Sequence, residues 1–403
     1  MSDSLIHVTP TAIWLAQNTQ RHPSEALPVV HHPAARGGAG GTLRCTHIEI
    51  PQVAERLAVI LAQPAWCWGG EMGVNEAGVA ILRQDLHTRT PVRAPALLGA
   101  DLLRLGLERT ASSAAAVALL VQLLDQYGQG GPDRYGRRSA TGGSRFLVAD
   151  AREAWLLETA GRTWTCARLS GARALCAAPL LHQPGRTGTA PGGADFAAEQ
   201  AAHWRPALHT ARWRQAAAQS RLDAASTPDW AGLLHQLRAH APDPAGVTGL
   251  CRHAGWLHPL QTTGSLLLRL APDATHMLWT GTSAPCLSIF RPAAFSGTWS
   301  VLTRPEQQLA APLWRRHEWL HRWALADPGL RARLHATREQ LEPQVLDLMM
   351  RGEPQRADRL AASWHKVLFE SLRGAPPPQS AYWRRMGRAD GMDIARATLH
   401  PDQ

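Results

Sequence analysis

The chain has 403 residues, of which 45% are apolar and 18% charged, and its formal charge is +10 at pH 7. This length predicts two or three domains, or one large α/β body with an extension, and the scattered short groups of arginines do not predict a nucleic-acid-binding arm. No segment has transmembrane length and the first residues lack the pattern of a secretory signal, so we expect a cytoplasmic protein with reduced thiols and no membrane partner.

The first part of the chain has the pattern of β-strands separated by turns. Strands are predicted at Leu5–Val8, Ala12–Leu15, Cys45–Ile50, Ala58–Ala62 and Gly78–Leu82, with a loop at Pro33–Gly41. Two helices follow at Ala96–Leu107 and Ser112–Leu124, where leucines recur at helical spacing and Ser112 is a candidate N-cap. Glycines and arginines then predict a surface loop over Gly128–Gly143.

The second part of the chain returns to strands and ends in helices. Strands are predicted at Phe146–Asp150, Ala154–Thr159, Trp164–Leu169, Arg173–Ala177, Ser265–Leu270, His276–Trp279 and Leu287–Phe290, with a flexible segment at Gln183–Gly193 and helices at Phe196–Ala224 and Trp230–Ala239. From Glu306 to about Leu372 the pattern is helical, apart from turns near Pro328 and Gly352. This order predicts an α+β layered body at residues 2–300 and a helical C-terminal extension at 301–403.

The second residue carries the most informative chemistry. Ser2 is small enough for Met1 to be removed, after which one residue would hold both a hydroxyl and a free α-amine. Those two groups together form a nucleophile and its base. The alternative is that residues 2–4 are an ordinary disordered start of the chain.

Several stretches, in order over most of the chain, resemble the secernins, a branch of the N-terminal nucleophile dipeptidase family. They are Cys45–Val53, Pro64–Val79, Leu97–Arg109, Tyr127–Gly131, Phe146–Asp150, Glu153–Gly161, Gln261–Ser265, Trp279–Thr282 and Leu313–Glu318. The resemblance implies a four-layer αββα sandwich with a nucleophile at the mature N-terminus, on the first strand. It also implies that this side chain attacks an amide carbonyl while the α-amine relays the proton, with no metal or organic cofactor.

Residue by residue, the resemblance is uneven. The family begins Cys-Asp-Thr, and here Ser2 stands at the nucleophile position with Asp3 kept beside it. The turn that supplies an oxyanion-hole asparagine is kept as Gly73–Glu76, which makes Asn75 a candidate catalytic residue. The alternative for Asn75 is a turn residue in the left-handed region.

The next family motif is altered. The family usually has Lys/Arg-Asn-Ser-Asp-Arg, whereas residues 17–21 read Gln-Asn-Thr-Gln-Arg, so two charges are lost. Asn18 remains a catalytic candidate, and Gln17, Gln20 and Arg21, with Asp3, are candidates for substrate binding. A further family asparagine falls near Ala177. These losses leave two readings open, an active hydrolase and a silent scaffold.

Each of the other candidate site residues also has a purely structural interpretation. Trp66, Trp68 and Glu71 are candidates to line a substrate cleft, and the favoured alternative is that the tryptophans are packed in the core. Residues 317–321 match H-E-x-x-H, and His317, Glu318 and His321 with a downstream Glu339 or Glu342 would make a zinc peptidase site. The alternative is one stripe of an amphipathic helix.

No metal site is predicted from the cysteines. The six cysteines have no CxxC spacing, and Cys67 and Cys251 are predicted to be buried structural residues. The function predicted first is a dipeptidase or linear-amide hydrolase that uses Ser2 on a small peptide or amide. The alternatives are a silent scaffold that binds a partner or ligand, and the zinc peptidase. A homodimer is expected, with no nucleic-acid or membrane partner.

Overall fold

The computed structural model describes residues 2–37, 41–89, 92, 94–133, 142–176, 181–182, 184–187, 190–202, 206–225, 227–241, 249–255 and 259–371. Some of the sequence predictions lie outside these ranges. They concern Met1, Ala177, the middle of the Gly128–Gly143 loop and the tail after residue 371.

Eighteen strands and eight α-helices are present in the described residues. The strands are β1 Ser2–Val8, β2 Ile13–Arg21, β3 Val29–His32, β4 Thr42–Arg44, β5 Glu49–Pro51, β6 Val59–Ala62, β7 Met72–Asn75, β8 Ala80–His87, β9 Gly142–Ala149, β10 Ala154–Ala160, β11 Thr163–Arg168, β12 Gly171–Cys176, β13 Pro184–Thr187, β14 Ala190–Asp195, β15 Gln261–Leu270, β16 Thr275–Trp279, β17 Arg291–Ala293 and β18 Leu302–Thr303. The helices are α1 Gly99–Arg109, α2 Ser113–Tyr127, α3 Phe196–Gln200, α4 Pro206–Ala224, α5 Trp230–Leu237, α6 Pro312–Ala326, α7 Pro328–Met350 and α8 Pro354–Ser371.

The strands form two large sheets that stack face to face. The first sheet has the order β12-β1-β2-β15-β16-β17, and the second has the order β14-β13-β11-β10-β9-β8-β7-β6-β3-β18. Neighbouring strands are antiparallel except β18, which runs parallel to β3. Between the sheets lies an apolar layer that includes Ile6, Leu15, Val74, Leu147 and Leu268. Because side chains alternate along a strand, each sheet also has an opposite face that helices can cover.

Helices cover both outer faces. On the second sheet, α1 and α2 pack Leu103 and Leu120 against Ile81. On the first sheet, α4 to α8 form a larger layer in which Leu5 and Leu267 meet residues of those helices. The four-layer α-β-β-α sandwich of the α+β class is therefore confirmed. The alternation in β1 gives the physical reason, since Leu5 faces the helices and its neighbour Ile6 faces the other sheet.

Four local predictions were wrong. The helix predicted over Phe196–Ala224 is interrupted, because α3 ends at Gln200 and Ala201 forms a β-bridge with Thr88. Residues 45–48 form the turn of the β4–β5 hairpin, closed by a bond from Cys45 N to Ile48 O of 2.9 Å, instead of one strand over 45–50. The apolar run 287–290 is not a strand. A 3-10 turn at Pro285–Leu287 precedes β17 there, and apolar runs alone do not separate these outcomes. The segment 183–193 contains β13 and β14 instead of a flexible stretch.

The C-terminal helices α6, α7 and α8 pack on the first sheet and on one another. Each of them begins with proline, at Pro312, Pro328 and Pro354. Proline suits this position because the first helical N–H has no partner within the helix. In the part of the chain that the structure describes, no helix is both long and apolar enough to cross a membrane.

Candidate active site

Ser2 lies at the start of β1, in the interior of the first sheet. Its Cα partner in β2 is Thr19, and Ser2 is only 2% exposed. Two residues along the same strand, Ser4 Oγ donates to Gln17 Oε1 at 2.6 Å and accepts from Gln84 Nε2 of β8 at 2.9 Å. Ser4 therefore faces the second sheet, and the alternation of the strand puts Ser2 on the same face.

Gln17 joins the two sheets beside this pair of serines. Its Nε2 lies 3.1 Å from Thr19 Oγ1, 3.2 Å from Glu71 O and 3.3 Å from Arg83 O. Thr19 Oγ1 in turn approaches Met72 Sδ at 3.7 Å. At the position where the resembling family has a cation, the chain thus has a neutral amide that is held by polar atoms of both sheets.

A buried cluster of charges continues from the same face of β2. Arg21 pairs with Glu71 and lies 3.5 Å from Glu25, while Arg83 Nη1 lies 2.8 Å from Glu71 Oε1 and Arg83 Nη2 is paired with Asp85. Burial lowers the pKa of Arg21, but the nearby carboxylates outweigh this and hold it well above its usual value. Burial raises the pKa of Glu25, although Arg21 opposes the shift. Two guanidiniums are therefore held firmly charged beyond the end of β1 that carries Ser2.

The sequence predicted only some of the residues of this charged cluster. Arg21 and Glu71 were predicted site residues, but Glu25, Arg83 and Asp85 were not. The available signal is the polar triplet Arg-Gln-Asp at 83–85 inside β8, a strand that is buried throughout. Charged residues are rarely buried unless they are paired, so such a triplet predicts partners in space.

Asp3 and Gln20 lie on the opposite face of the first sheet. Asp3 Oδ2 is 3.1 Å from Nε of Arg214 in α4, and Gln20 Nε2 donates to the same carboxylate. Arg252 Nη1 lies 3.5 Å from Gln20 Oε1. Both side chains are thus bound within the layer between sheet and helices, on the other side of the sheet from Ser2.

The two asparagines proposed as catalytic have other hydrogen-bond partners. Asn18 Nδ2 donates to Leu237 O at 2.7 Å and Leu250 O at 3.0 Å. Asn75 Nδ2 donates to Leu107 O at 2.9 Å and Thr110 O at 2.6 Å, at the C-terminal end of α1. Since a primary amide has two N–H donors, each asparagine already uses both of them on backbone carbonyls.

The tryptophans have structural contacts. Trp66 Nε1 donates to Glu25 Oε1 at 2.8 Å. The Arg104 guanidinium lies 4.2 Å from the centre of the Trp68 ring, a cation–π contact beside α1. Trp66 therefore touches the charged cluster through Glu25, whereas Trp68 packs in the layer that covers the second sheet.

The H-E-x-x-H residues do not converge on one point. His317 Nε2 lies 3.1 Å from Ser288 Oγ and its Nδ1 lies 3.0 Å from His365 Nε2. Glu318 is paired with Arg322, with Nε and Oε1 2.7 Å apart. His321 Nδ1 lies 3.1 Å from the same glutamate. The two histidines thus bond to different partners. This arrangement is typical of polar residues on a buried helix face.

The proposed third ligands are also engaged elsewhere. Glu342 is ion-paired with Arg238, and Glu339 lies 3.0 Å from Arg338 Nη2. The described residues therefore do not assemble the zinc peptidase site that the motif predicts.

No family model matches the chain. Among solved structures, the chain is similar to penicillin V acylase from Agrobacterium tumefaciens, with 11% identity, a TM-score of 0.39, and 69% of this chain and 85% of that chain covered. It is also similar to a mutant of conjugated bile acid hydrolase from Clostridium perfringens, with 11% identity, a TM-score of 0.39, and 69% and 88% covered. A second variant of that hydrolase gives 11% identity, a TM-score of 0.40, and 70% and 89% covered. Similarity at this level does not assign a function, so the chemistry of the candidate site is argued only from the residues of this chain.

Proposed function

We propose that this chain is a linear-amide hydrolase whose nucleophile is Ser2, acting as the first residue of the mature chain. One observation carries the proposal. Ser2 opens an interior strand on the face that Ser4 and Gln17 share, where the two sheets exchange polar contacts. Burying several polar side chains between two sheets costs free energy of folding unless hydrogen bonds compensate for it, so such a cluster indicates a structural or catalytic role.

The proposed reaction uses one residue as nucleophile and base. Once the bond between Met1 and Ser2 is cleaved, the free α-amine takes the proton of Ser2 Oγ as that oxygen attacks the amide carbonyl. The C–N bond then breaks, and the same amine passes the proton to the leaving amine. Water attacks the resulting ester by the reverse sequence, which releases the acid and restores the hydroxyl.

Two residues of β2, Thr19 and Arg21, lie next to the proposed nucleophile. Thr19 lies opposite Ser2 in β2, and Arg21 is the next residue of β2 on that face. Arg21 is tied to Glu71, so its charge is fixed in position before a substrate binds. Arg21 is itself paired with Glu71 and Glu25, so it fixes the polar surroundings of the nucleophile and does not by itself select a charged substrate.

The first test concerns the nucleophile. We expect intact mass to show a chain that begins at Ser2, and turnover of an amide and dipeptide panel that Ser2→Ala removes and Ser2→Cys keeps. Ser4→Ala is the matched control, because it lies on the same face of the same strand. An electrophilic amide probe should label Ser2 in the wild type and in Ser4→Ala. Equal turnover by Ser2→Ala would rule the proposal out.

The pH dependence gives a second test. An N-terminal α-amine has a pKa of about 8, and only its neutral form accepts the proton of the hydroxyl. Turnover should therefore fall as the pH decreases below that value. A rate that stays constant down to about pH 5 would point to a different base.

A catalytically silent scaffold is the second candidate. It is favoured by the amides of Asn18 and Asn75, which donate all their hydrogens to backbone carbonyls. Each missing oxyanion donor costs about 100- to 1000-fold in rate. A correctly processed protein in which neither the wild type nor Ser2→Cys is labelled or turns over any substrate would establish this candidate.

A further inference from the structure

Two histidines and two cysteines from three separate segments meet beside the first sheet. They are His240, just after α5, Cys251 and His253, before β15, and Cys286, in the 3-10 turn after β16. Their ligand atoms all lie within 4.8 Å of one another. We call these four residues the Cys2His2 cluster. None of them belongs to the candidate active site or to the H-E-x-x-H motif.

The three distances from His253 Nε2 to the other ligand atoms of the Cys2His2 cluster match those around a tetrahedral ion. His253 Nε2 lies 3.1 Å from His240 Nε2, 3.5 Å from Cys286 Sγ and 3.9 Å from Cys251 Sγ. Bonds of about 2.05 Å from zinc to nitrogen and 2.3 Å from zinc to sulfur give tetrahedral edges of about 3.3 Å between two nitrogens and 3.6 Å between nitrogen and sulfur. The three measured separations lie within a few tenths of an ångström of these edges.

A hydrogen-bonded chain behind His253 directs a lone pair into the cluster. Glu318 is a carboxylate paired with Arg322, so it accepts from His321 Nδ1 at 3.1 Å. His321 Nε2 then has a lone pair and accepts from His253 Nδ1 at 2.8 Å. His253 Nε2 is left without a proton and faces the two cysteines. Metal-binding histidines are held in this way by a second hydrogen bond from the other ring nitrogen.

We propose that His240, Cys251, His253 and Cys286 bind one zinc ion in a closed structural site. Binding replaces the protons of the two thiols, and the resulting centre of Zn²⁺, two thiolates and two neutral imidazoles carries no net charge. A neutral centre suits this place, because Cys251 is 4% exposed and Cys286 is 3% exposed. Two sulfur and two nitrogen ligands in a tetrahedron select zinc among common divalent ions.

The Cys2His2 cluster borders a cavity and joins three segments of the chain. His240 and Cys286 line a cavity of about 740 Å³ that is also bordered by Arg238, Arg338 and Glu342, so an ion can reach the cluster from this side. Once bound, the ion ties the end of α5, the segment before β15 and the 3-10 turn together. With all four positions occupied by protein ligands, no position remains for a zinc-bound water.

The test is the metal content of the purified full chain. We expect one equivalent of zinc, and after exchange with Co²⁺ the absorption bands of tetrahedral cobalt with thiolate charge transfer. Cys251→Ser and Cys286→Ser should lose the metal, and Cys45→Ser should keep it. Cys45 is the matched control because it is 3% exposed, as Cys286 is, and lies in a different core cluster.

Other results would overturn the proposal. A disulfide between Cys251 and Cys286 under non-reducing conditions would exclude it. So would a chain that stays metal-free after expression and reconstitution with zinc, or Co²⁺ that binds without thiolate charge transfer.

A second variant keeps the test decisive if the cysteine variants do not fold. His321→Ala removes the positioning chain and Glu318→Gln removes the charge of its terminal acceptor, and neither removes a ligand. They should weaken zinc affinity, measured by competition with a chromophoric chelator, by about 10- to 100-fold. Glu108→Gln is the control, since Glu108 is also buried and paired with an arginine four residues away in its helix, Arg104. Equal zinc affinity in all three variants would contradict the proposed role of the chain from Glu318 to His253.

Discussion

His253 Nδ1 lies 2.8 Å from His321 Nε2. This contact links the H-E-x-x-H helix to the Cys2His2 cluster. His321 thus uses its Nε2 on another histidine, and in the zinc site proposed above the motif would position a ligand and would not supply one. The four proposed ligands come from the segment just after α5, the segment before β15 and a 3-10 turn, so none of them belongs to the motif.

The first prediction separates the motif from the Cys2His2 cluster. His317→Ala should leave the zinc content of the chain unchanged, because the ring nitrogens of His317 bond to Ser288 and His365, neither of which is a proposed ligand. His253→Ala should abolish it. Elemental analysis of both variants decides the matter. Loss of zinc in His317→Ala with retention in His253→Ala would restore the motif as the site.

The second prediction concerns stability at acid pH. Burial, with His321 and Arg291 nearby, lowers the pKa of His317 to about 3 from its ordinary 6.5. Burial and Arg291 also hold the pKa of His365 well below its usual value. Between pH 6.5 and about 3 the unfolded chain therefore binds more protons at His317 than the folded chain does. The free energy of unfolding should decrease with decreasing pH in this range, by up to about 1.4 kcal/mol per pH unit from His317.

Urea titrations at a series of pH values measure this slope. His317→Gln removes the titrating group, so its slope should be smaller than that of the wild type. His235→Gln, at an exposed position of α5, is the control and should keep the wild-type slope. Identical slopes in all three proteins would show that His317 does not govern the acid range.

The third prediction assigns Asn75 a structural role. Asn75→Ala leaves the carbonyls of Leu107 and Thr110 without their donor, so the free energy of unfolding should decrease by about 1–3 kcal/mol for each buried group left unpaired. Any amide turnover that depends on Ser2 should be unchanged per folded molecule. Denaturant titration and kcat together test this. A kcat decrease of about 100- to 1000-fold would instead identify Asn75 as an oxyanion donor.

The fourth prediction concerns the close contact between the segment before β7 and α1. A Cβ at Gly69 would lie 2.1 Å from the carbonyl carbon of Ala100, which is helix backbone and cannot turn aside. Gly69→Ala should therefore destabilise the fold by about 1–3 kcal/mol. At Gly255 a Cβ would meet no atom within 4 Å, so Gly255→Ala should change stability by no more than about 0.5 kcal/mol. Equal melting temperatures of the two variants would contradict this contact.

Local pattern accounts for much of the fold. Short apolar runs were sufficient to predict residues 5–8 of β1 and the start of β2, and the leucine spacing of α1 and the Ala/Leu content of α2 predicted those helices. The pattern was wrong at residues 45–50, where two buried residues, Cys45 and Ile50, flank a turn. Burial at two isolated positions imitates the alternation of a strand.

The structure places the predicted site residues of β1 and β2 on two opposite faces of the first sheet. The sequence identified Ser2, Gln17 and Arg21 as one region, and strand pairing sets Ser2 opposite Thr19, with Gln17 two residues before Thr19 and Arg21 two residues after it. It also assigned Asp3, Gln20 and Asn18 to that region, whereas these alternate residues project to the helix side of the sheet. The period of two along a strand separates neighbours in sequence onto opposite faces.

The amino-acid sequence by itself determined the layered α+β architecture, because the hydrophobic periods of strands and helices are local properties. Only the tertiary structure decided which polar groups meet. His240, Cys251, His253 and Cys286 have no recognisable spacing, and they converge because three segments pack together at one edge of the helix layer. Contacts between distant segments depend on the packing of the whole chain, and no local pattern encodes them.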